Sequence, residues 1–332
     1  MNRETRAKRR LILLAVSLPL LLTCAVAGLV IGPVPIPLED VWKVLIVGDA
    51  STYRVILLDI RLPRLLVGML TGACLAASGA ILQSVMRNPL ADPGIIGVSA
   101  GGGFAAVLVM VALPQLSYLL PAAAFTGALI ASLVVYLMAW DKGASPVKIV
   151  LAGIAVNALM GALMNGVMVM YSDRVQSVLP WLAGGLNGRG WYHLSFMLPY
   201  AAVGLLLTIP AIRSANLLQL GDDSAQLLGQ RVERQRMLLV ALAALLAGAA
   251  VSAAGLIAFV GLVIPHALRL FIGDDYRYLL PLSIIYGAVL VAVSDTLART
   301  LFDPAELPVG ILLACIGAPF FLYLLRRRNN WR

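Results

Sequence analysis

Ten apolar runs separated by short polar breaks occupy most of the 332-residue chain, and they leave it few ways to fold. They cover 11–31, 62–86, 94–113, 117–139, 147–170, 193–212, 237–258, 259–272, 279–298 and 307–325. A helical membrane crossing takes about 20 mostly apolar residues, and most of these runs have that length. Composition agrees: 61% of residues are hydrophobic and 12% are charged. An average soluble domain is about 25% charged, so this chain cannot clothe a water-soluble globule of its size. Disordered, fibrous and disulfide-rich secreted classes are excluded by the same figures. The expected fold is an all-α polytopic membrane protein of about ten transmembrane helices. It forms one transmembrane domain over 1–332, with no separate soluble domain and no nucleotide-binding loop.

The stretch 237–272 has no polar break. As one helix, these 36 residues would be about 54 Å long, far beyond a hydrocarbon core of about 30 Å. One full helix followed by a short, broken one, turning near Gly255 and Gly261, resolves the conflict. The broken piece carries Pro265 and His266 and must be buried in protein. The first run, at 21 residues, exceeds the usual h-region of a signal peptide and reads as a retained helix.

Basic residues concentrate on the cytoplasmic side of membrane proteins. Ten crossings with the N-terminus inside put 18 of the 25 Lys and Arg residues there, including the Arg326–Arg328 cluster, and nine crossings would strand that cluster outside. Hence 1–10 and 326–332 read as cytoplasmic tails and 213–236 as a long cytoplasmic loop. The net charge of +9 is thereby topological and calls for no nucleic-acid partner. All five tryptophans, Trp42, Trp140, Trp181, Trp191 and Trp331, fall at or beyond run ends, as an interfacial belt requires.

Four groups of residues stand out. Gly68, Gly72, Ala76, Gly79, Gly97 and Gly101 form small-residue stripes that allow close helix packing. In the fifth span Asn157, Gly161, Met164, Asn165 and Met168 share one helical face, suited either to a wet translocation path or to packing. Leu220, Gly221, Asp222, Ser224, Ala225, Leu228 and Gly229 lie in a stretch that reads as a short helix, with Asp222 capping its start and Gly229 ending it. Outside, Arg61, Arg64 and Arg299 point to an acidic partner or to lipid headgroups. Asp295 is the one clear carboxylate within the spans, suited to ion coupling or to a structural role. Two histidines, His193 and His266, cannot build a metal cluster, and no catalytic set is apparent. Cys24, Cys74 and Cys315 sit in apolar runs as small hydrophobes. No metal, cofactor or catalytic residue is expected.

These segments resemble the permease family of ABC importers for iron–siderophores, haem and cobalamin. The resemblance rests on Arg61-Leu62-Pro63-Arg64, Ser78-Gly79-Ala80, Leu82-Gln83, Arg87-Asn88-Pro89-Leu90-Ala91-Asp92-Pro93 and Gly97-Val98-Ser99-Ala100-Gly101. It continues through Leu151-Ala152-Gly153, Trp181 to Gly185, Phe259 to His266 and Gly317-Ala318-Pro319, in order over 11–328. It implies a ten-helix bundle with inverted-repeat character between helices two to five and seven to ten. It also implies a dimer with an identical or different second permease subunit, two ATP-binding subunits and an extracytoplasmic solute-binding protein, in a bacterial cytoplasmic membrane. By the same resemblance, Arg61, Arg64 and Arg299 pair with glutamates of the binding protein, 220–229 couples to the ATPase, and Asn88 and Leu90 lie at the cytoplasmic gate. Pro146 and Val147 stand where cobalamin members carry small hydroxyl residues, which argues for a ferric siderophore over cobalamin. Haem or cobalamin through the same machinery, and an ion-coupled secondary transporter, are the alternatives.

Overall fold

The computed structural model describes residues 3–48, 52–141, 143–302 and 305–329, with side chains described from 6 to 322. Lys142, Trp331 and Arg332, used above for topology, lie outside the described residues, as does the end of the 326–332 tail. Among the described residues the α-helices are α1 (Arg3–Val30), α2 (Leu38–Trp42), α3 (Leu62–Val85), α4 (Val98–Val107), α5 (Leu120–Met138), α6 (Pro146–Met170), α7 (Val175–Leu182), α8 (Trp191–Leu218), α9 (Asp222–Leu227), α10 (Val232–Ala254), α11 (Val260–Ile272), α12 (Tyr276–Ala298) and α13 (Val309–Asn329). α1, α3, α5, α6, α8, α10 and α12 belong to the seven helices long and apolar enough to cross a membrane; α4, α11 and α13 belong to shorter apolar helices. These ten coincide with the ten apolar runs. The expected N-terminal tail is instead the first turns of α1, and most of the C-terminal tail continues α13.

α3 is the centre of the bundle. It packs against α8, α10, α11 and α12, and 20 of its 24 residues are buried. Its small residues make this possible. A Cβ on Gly72 would strike the backbone carbonyl of Gly287 in α12, and a Cβ on Gly287 would strike that of Gly72. Seven residues on, a Cβ on Gly79 would strike the carbonyl of Gly261 in α11. The packing reading of the glycine stripe therefore holds, with backbone laid directly on backbone. At the other extreme, α6 buries only Ile149, Gly153 and Val156 within its own chain.

The unbroken stretch 237–272 divides as its length demands. α10 ends at Ala254, Gly255 takes φ +73°, Phe259 takes φ +69°, and α11 starts at Val260. Gly261 lies inside α11 as the contact for α3 and takes no part in the turn. The extended link between α7 and α8 reaches into the break: Gly185 N–H donates to Ala254 O (2.9 Å), and Gly310 N–H at the start of α13 donates to Gly184 O (2.9 Å). Irregular backbone at this depth is thus satisfied by protein.

Side-chain bonds mark the two ends of the bundle. At one end Arg10 donates to Ile272 O (2.9 Å), and Asn216 and Gln219 bond to Asp275 and Asp274. At the other, Trp191 donates to Leu58 O (2.9 Å) and Tyr192 to Tyr118 O (2.5 Å). The start of α1 and the α8–α9 connection therefore share one face.

The glycine geometry sets a paired expectation. Gly72→Ala forces a methyl group against an immovable carbonyl and should cost about 1–3 kcal/mol. Gly166→Ala, where a Cβ meets nothing within 4 Å, should leave stability unchanged or slightly raised. Thermal unfolding of the two purified variants in the same detergent compares them directly.

Candidate functional site: the outer arginines, the inner short helix and the sixth helix

The outer arginines do not stand free. Arg61 lies in the turn that leads into α3 and is almost fully buried. Its guanidinium donates to Leu29 O, to Val30 O (3.1 Å) and to Val34 O. Arg299, just past the end of α12, donates to Gly28 O and to Ile31 O (2.9 Å). Both therefore fasten the carbonyl end of α1, where four backbone acceptors lack helical partners and the helix dipole favours cations. Arg64 grips Asp295 with two nitrogens, Nε to Oδ2 (3.0 Å) and Nη2 to Oδ1 (2.9 Å), while its Nη1 meets Glu306 at 2.9 Å. The sequence points these arginines to an acidic partner or to headgroups; in the structure each already holds groups of its own chain. Asp295 accordingly serves as a structural acceptor in a paired, hydrogen-bonded cluster.

At the opposite end α9 forms the expected short helix, with one correction. Asp222 is not the cap. Gly221 holds that position at φ +98°, and no side chain caps the helix start. The Asp222 carboxylate turns back instead to Arg236 (2.8 Å) and faces Arg87 (3.8 Å). The helix end is as expected. Gly229 adopts φ +79° and donates to Gln226 O (2.8 Å), and Gln230 donates to Ala225 O (3.0 Å), a Schellman closure. Ala225 is buried against the bundle and Ser224 is exposed. Leu227 is 89% exposed, Leu220 58% and Leu228 57%. Leu227 at the end of this short, well-closed helix, with Leu220 just before its start and Leu228 at its C-cap, forms an apolar knob.

The connections beside it carry the expected gate residues. Asn88 is exposed, and its Oδ1 accepts from Leu90 N–H (3.0 Å), which shapes the turn after α3 and leaves Leu90 half-buried. Pro146 occupies the first turn of α6 and Val147 is exposed beside it. Ser145 supplies the hydroxyl here: it caps α6, accepting from Lys148 N–H (3.3 Å). Sequence reading passed over it, although Ser followed by Pro is a helix-start signal. Lys148 also donates to Asp141 (2.7 Å) and holds that carboxyl below the usual range.

The amide and methionine face of α6 divides. Asn157 Nδ2 donates to Gly94 O (3.0 Å), tying α6 to the turn before α4. Met164 and Met168 pack with Val107, Val111 and Val178 of α7, a helix that sequence reading missed. Gly161 and Asn165 are left open, with nothing within 4 Å of a Cβ at Gly161 and Asn165 exposed.

An all-helical bundle centred on a buried helix, with an apolar knob at one end and a little-covered helix along its flank, defines a membrane transport subunit. The chain belongs to the FecCD transport family, whose model matches residues 20–327. The ferric-citrate import permease YfmD of Bacillus subtilis is 38% identical over 98% of each chain. The cobalamin import permease BtuC of Halobacterium salinarum is 44% identical over 85% of this chain and 76% of its own. Among solved structures, an inward-facing transporter assigned to the metal-chelate ABC type superposes with TM-score 0.81 at 30% identity, covering 95% of this chain and 99% of the other.

Removing Arg64 should be costly, because it strands Asp295 in a buried site. Arg64→Met should lose about 3–5 kcal/mol, and Arg64→Met combined with Asp295→Leu should recover most of it. Thermal midpoints of the single and double variants, measured side by side, check this.

Proposed function

We propose that this chain is the permease subunit of an ATP-driven importer for ferric siderophores, working by alternating access in a bacterial cytoplasmic membrane with both termini inside. A second permease subunit, identical or different, completes the path against α6, whose apolar surface its own chain scarcely covers. Two ATP-binding subunits hydrolyse the nucleotide, since this sequence carries no nucleotide loop. An extracytoplasmic solute-binding protein docks on the outer mouth framed by Arg61, Arg64 and Arg299. The gate comprises Asn88, Leu90, Pro146 and Val147, and the path runs along Asn157, Gly161, Met164, Asn165 and Met168.

The observation that carries the reading is the knob. Leu227, with Leu220 and Leu228 flanking its helix, stands out on an element held by a Schellman closure, on the face shared with the start of α1. Exposed apolar groups on a rigid element mark a docking surface, and a cleft in an ATP-binding subunit is the partner this reading assigns. Similarity to a cobalamin permease favours a second reading, cobalamin through the same machinery, and haem follows the same logic.

Leu227→Asp should leave insertion and outer docking intact, lower ATPase association at least tenfold, and abolish uptake. Co-purification of the ATP-binding subunit with the variant, alongside uptake of radiolabelled ferric siderophore, haem and cobalamin into proteoliposomes, tests both knob and substrate. Normal co-purification and uptake would overturn the assignment of 220–229.

A further inference from the structure

Arg236 is 2% exposed, yet it sits in the first turns of α10 and next to the apolar knob. Its fork meets three acceptors from three segments. Nη2 donates to Asp222 Oδ1 of α9 (2.8 Å), and Nη1 donates both to Glu233 Oε1 of α10 (2.6 Å) and to Ala144 O of the link between α5 and α6 (2.6 Å). Glu233 closes the circuit, because its Oε2 accepts from Ala144 N–H (2.8 Å). The peptide at Ala144 is thus held by its donor and its acceptor together. Ser145, the cap of α6, is the next residue along the chain. On the far side, Asp222 also faces Arg87 (3.8 Å), which immediately precedes Asn88.

We infer that Arg236 is a positioning residue that joins the α9 knob to the start of α6, so that a displacement of α9 is carried to the gate as a rigid movement. This inference rests on the reading of 220–229 as the ATPase-facing element and of 146–147 as part of the gate. The chemistry suits the task. A buried guanidinium fixes several acceptors at set angles, whereas an ammonium on a flexible stem gives no such fork. The connection is also direct: one side chain spans from Asp222 to Ala144, with no intervening loop to absorb movement. Asp222 serves the same linkage from the α9 side, and this gives its departure from the helix cap a reason.

The test uses the assembled complex in proteoliposomes. Arg236→Met, Arg236→Lys and Asp222→Asn are compared with the unmodified protein for ATP hydrolysis, for uptake, and for nucleotide-dependent fluorescence. The fluorescence comes from a bimane attached separately at Gln226 in α9 and at Leu151 in α6, with the three native cysteines replaced. In the unmodified linkage both probes should respond to trapping with ATP and vanadate. In Arg236→Met the Gln226 probe should still respond and the Leu151 probe should not, with hydrolysis within about threefold of normal and uptake down at least tenfold. Arg236→Lys should fall between, because it keeps the charge and loses the fork. A Leu151 probe that still responds in Arg236→Met would overturn the inference. So would hydrolysis and uptake falling together in Arg236→Lys and Asp222→Asn, which marks a purely structural role. A Gln226 probe silent in the unmodified complex would instead sink the underlying assignment of α9, and the linkage with it.

Discussion

Where α10 stops at Ala254, its last carbonyls face the interior of the bundle, and the chain answers with the backbone of Gly185, brought in from the far end of α7. This requirement, that polar backbone be satisfied where water cannot reach, recurs through the molecule. The end of α1 meets the same demand with Arg61 and Arg299, which cover carbonyls from Gly28 to Val34. The end of α9 meets it locally, with Gly229 and Gln230 folded back on the last turn. The bundle can bring such distant partners together because its central helix carries so little side-chain volume. Gly72 and Gly79 let α12 and α11 lie on α3 at backbone distance.

Charge in this protein works over short distances and inside the fold. Arg64 neutralises Asp295 and reaches Glu306; Arg236 gathers Asp222, Glu233 and the Ala144 carbonyl. A buried cation left without partners costs several kcal/mol, so each of these forks constrains the segments around it to a single arrangement. The outer cluster locks α3 to α12 and to the segment that precedes α13. The inner one lies between the exposed knob and the start of α6, a helix its own chain covers little.

Much of the architecture was legible in the chain. The ten runs became ten apolar helices, and the 36-residue stretch broke where length and Gly255 required. The short helix at 222–227 and its glycine stop were also readable, because capping chemistry is local. The intramolecular partners of Arg61, Arg64 and Arg299 were not. Their partners lie 27 to 271 positions away, and composition on the outer side suggests exposure where the fold supplies burial. Asp222 misled for the same reason: a local rule favours a cap, and a buried arginine fourteen residues on outbid it. The little helix α7, with Pro180 inside it, hid behind a composition that reads as a loop.

The sequence by itself therefore determined the membrane class, the number of apolar helices, the break at Gly255 and the presence of a compact apolar element on a polar connection. These follow from run length, hydropathy and glycine placement, which act over a few residues. Tertiary structure alone decided which polar groups are free and which are spent. It closed Arg61 and Arg299 over the end of α1, paired Arg64 with Asp295, split the face of α6 between packing and open space, and bound α9 to the start of α6 through Arg236. Those outcomes depend on which helices lie side by side, and a guanidinium's partner is set by that adjacency rather than by its neighbours along the chain.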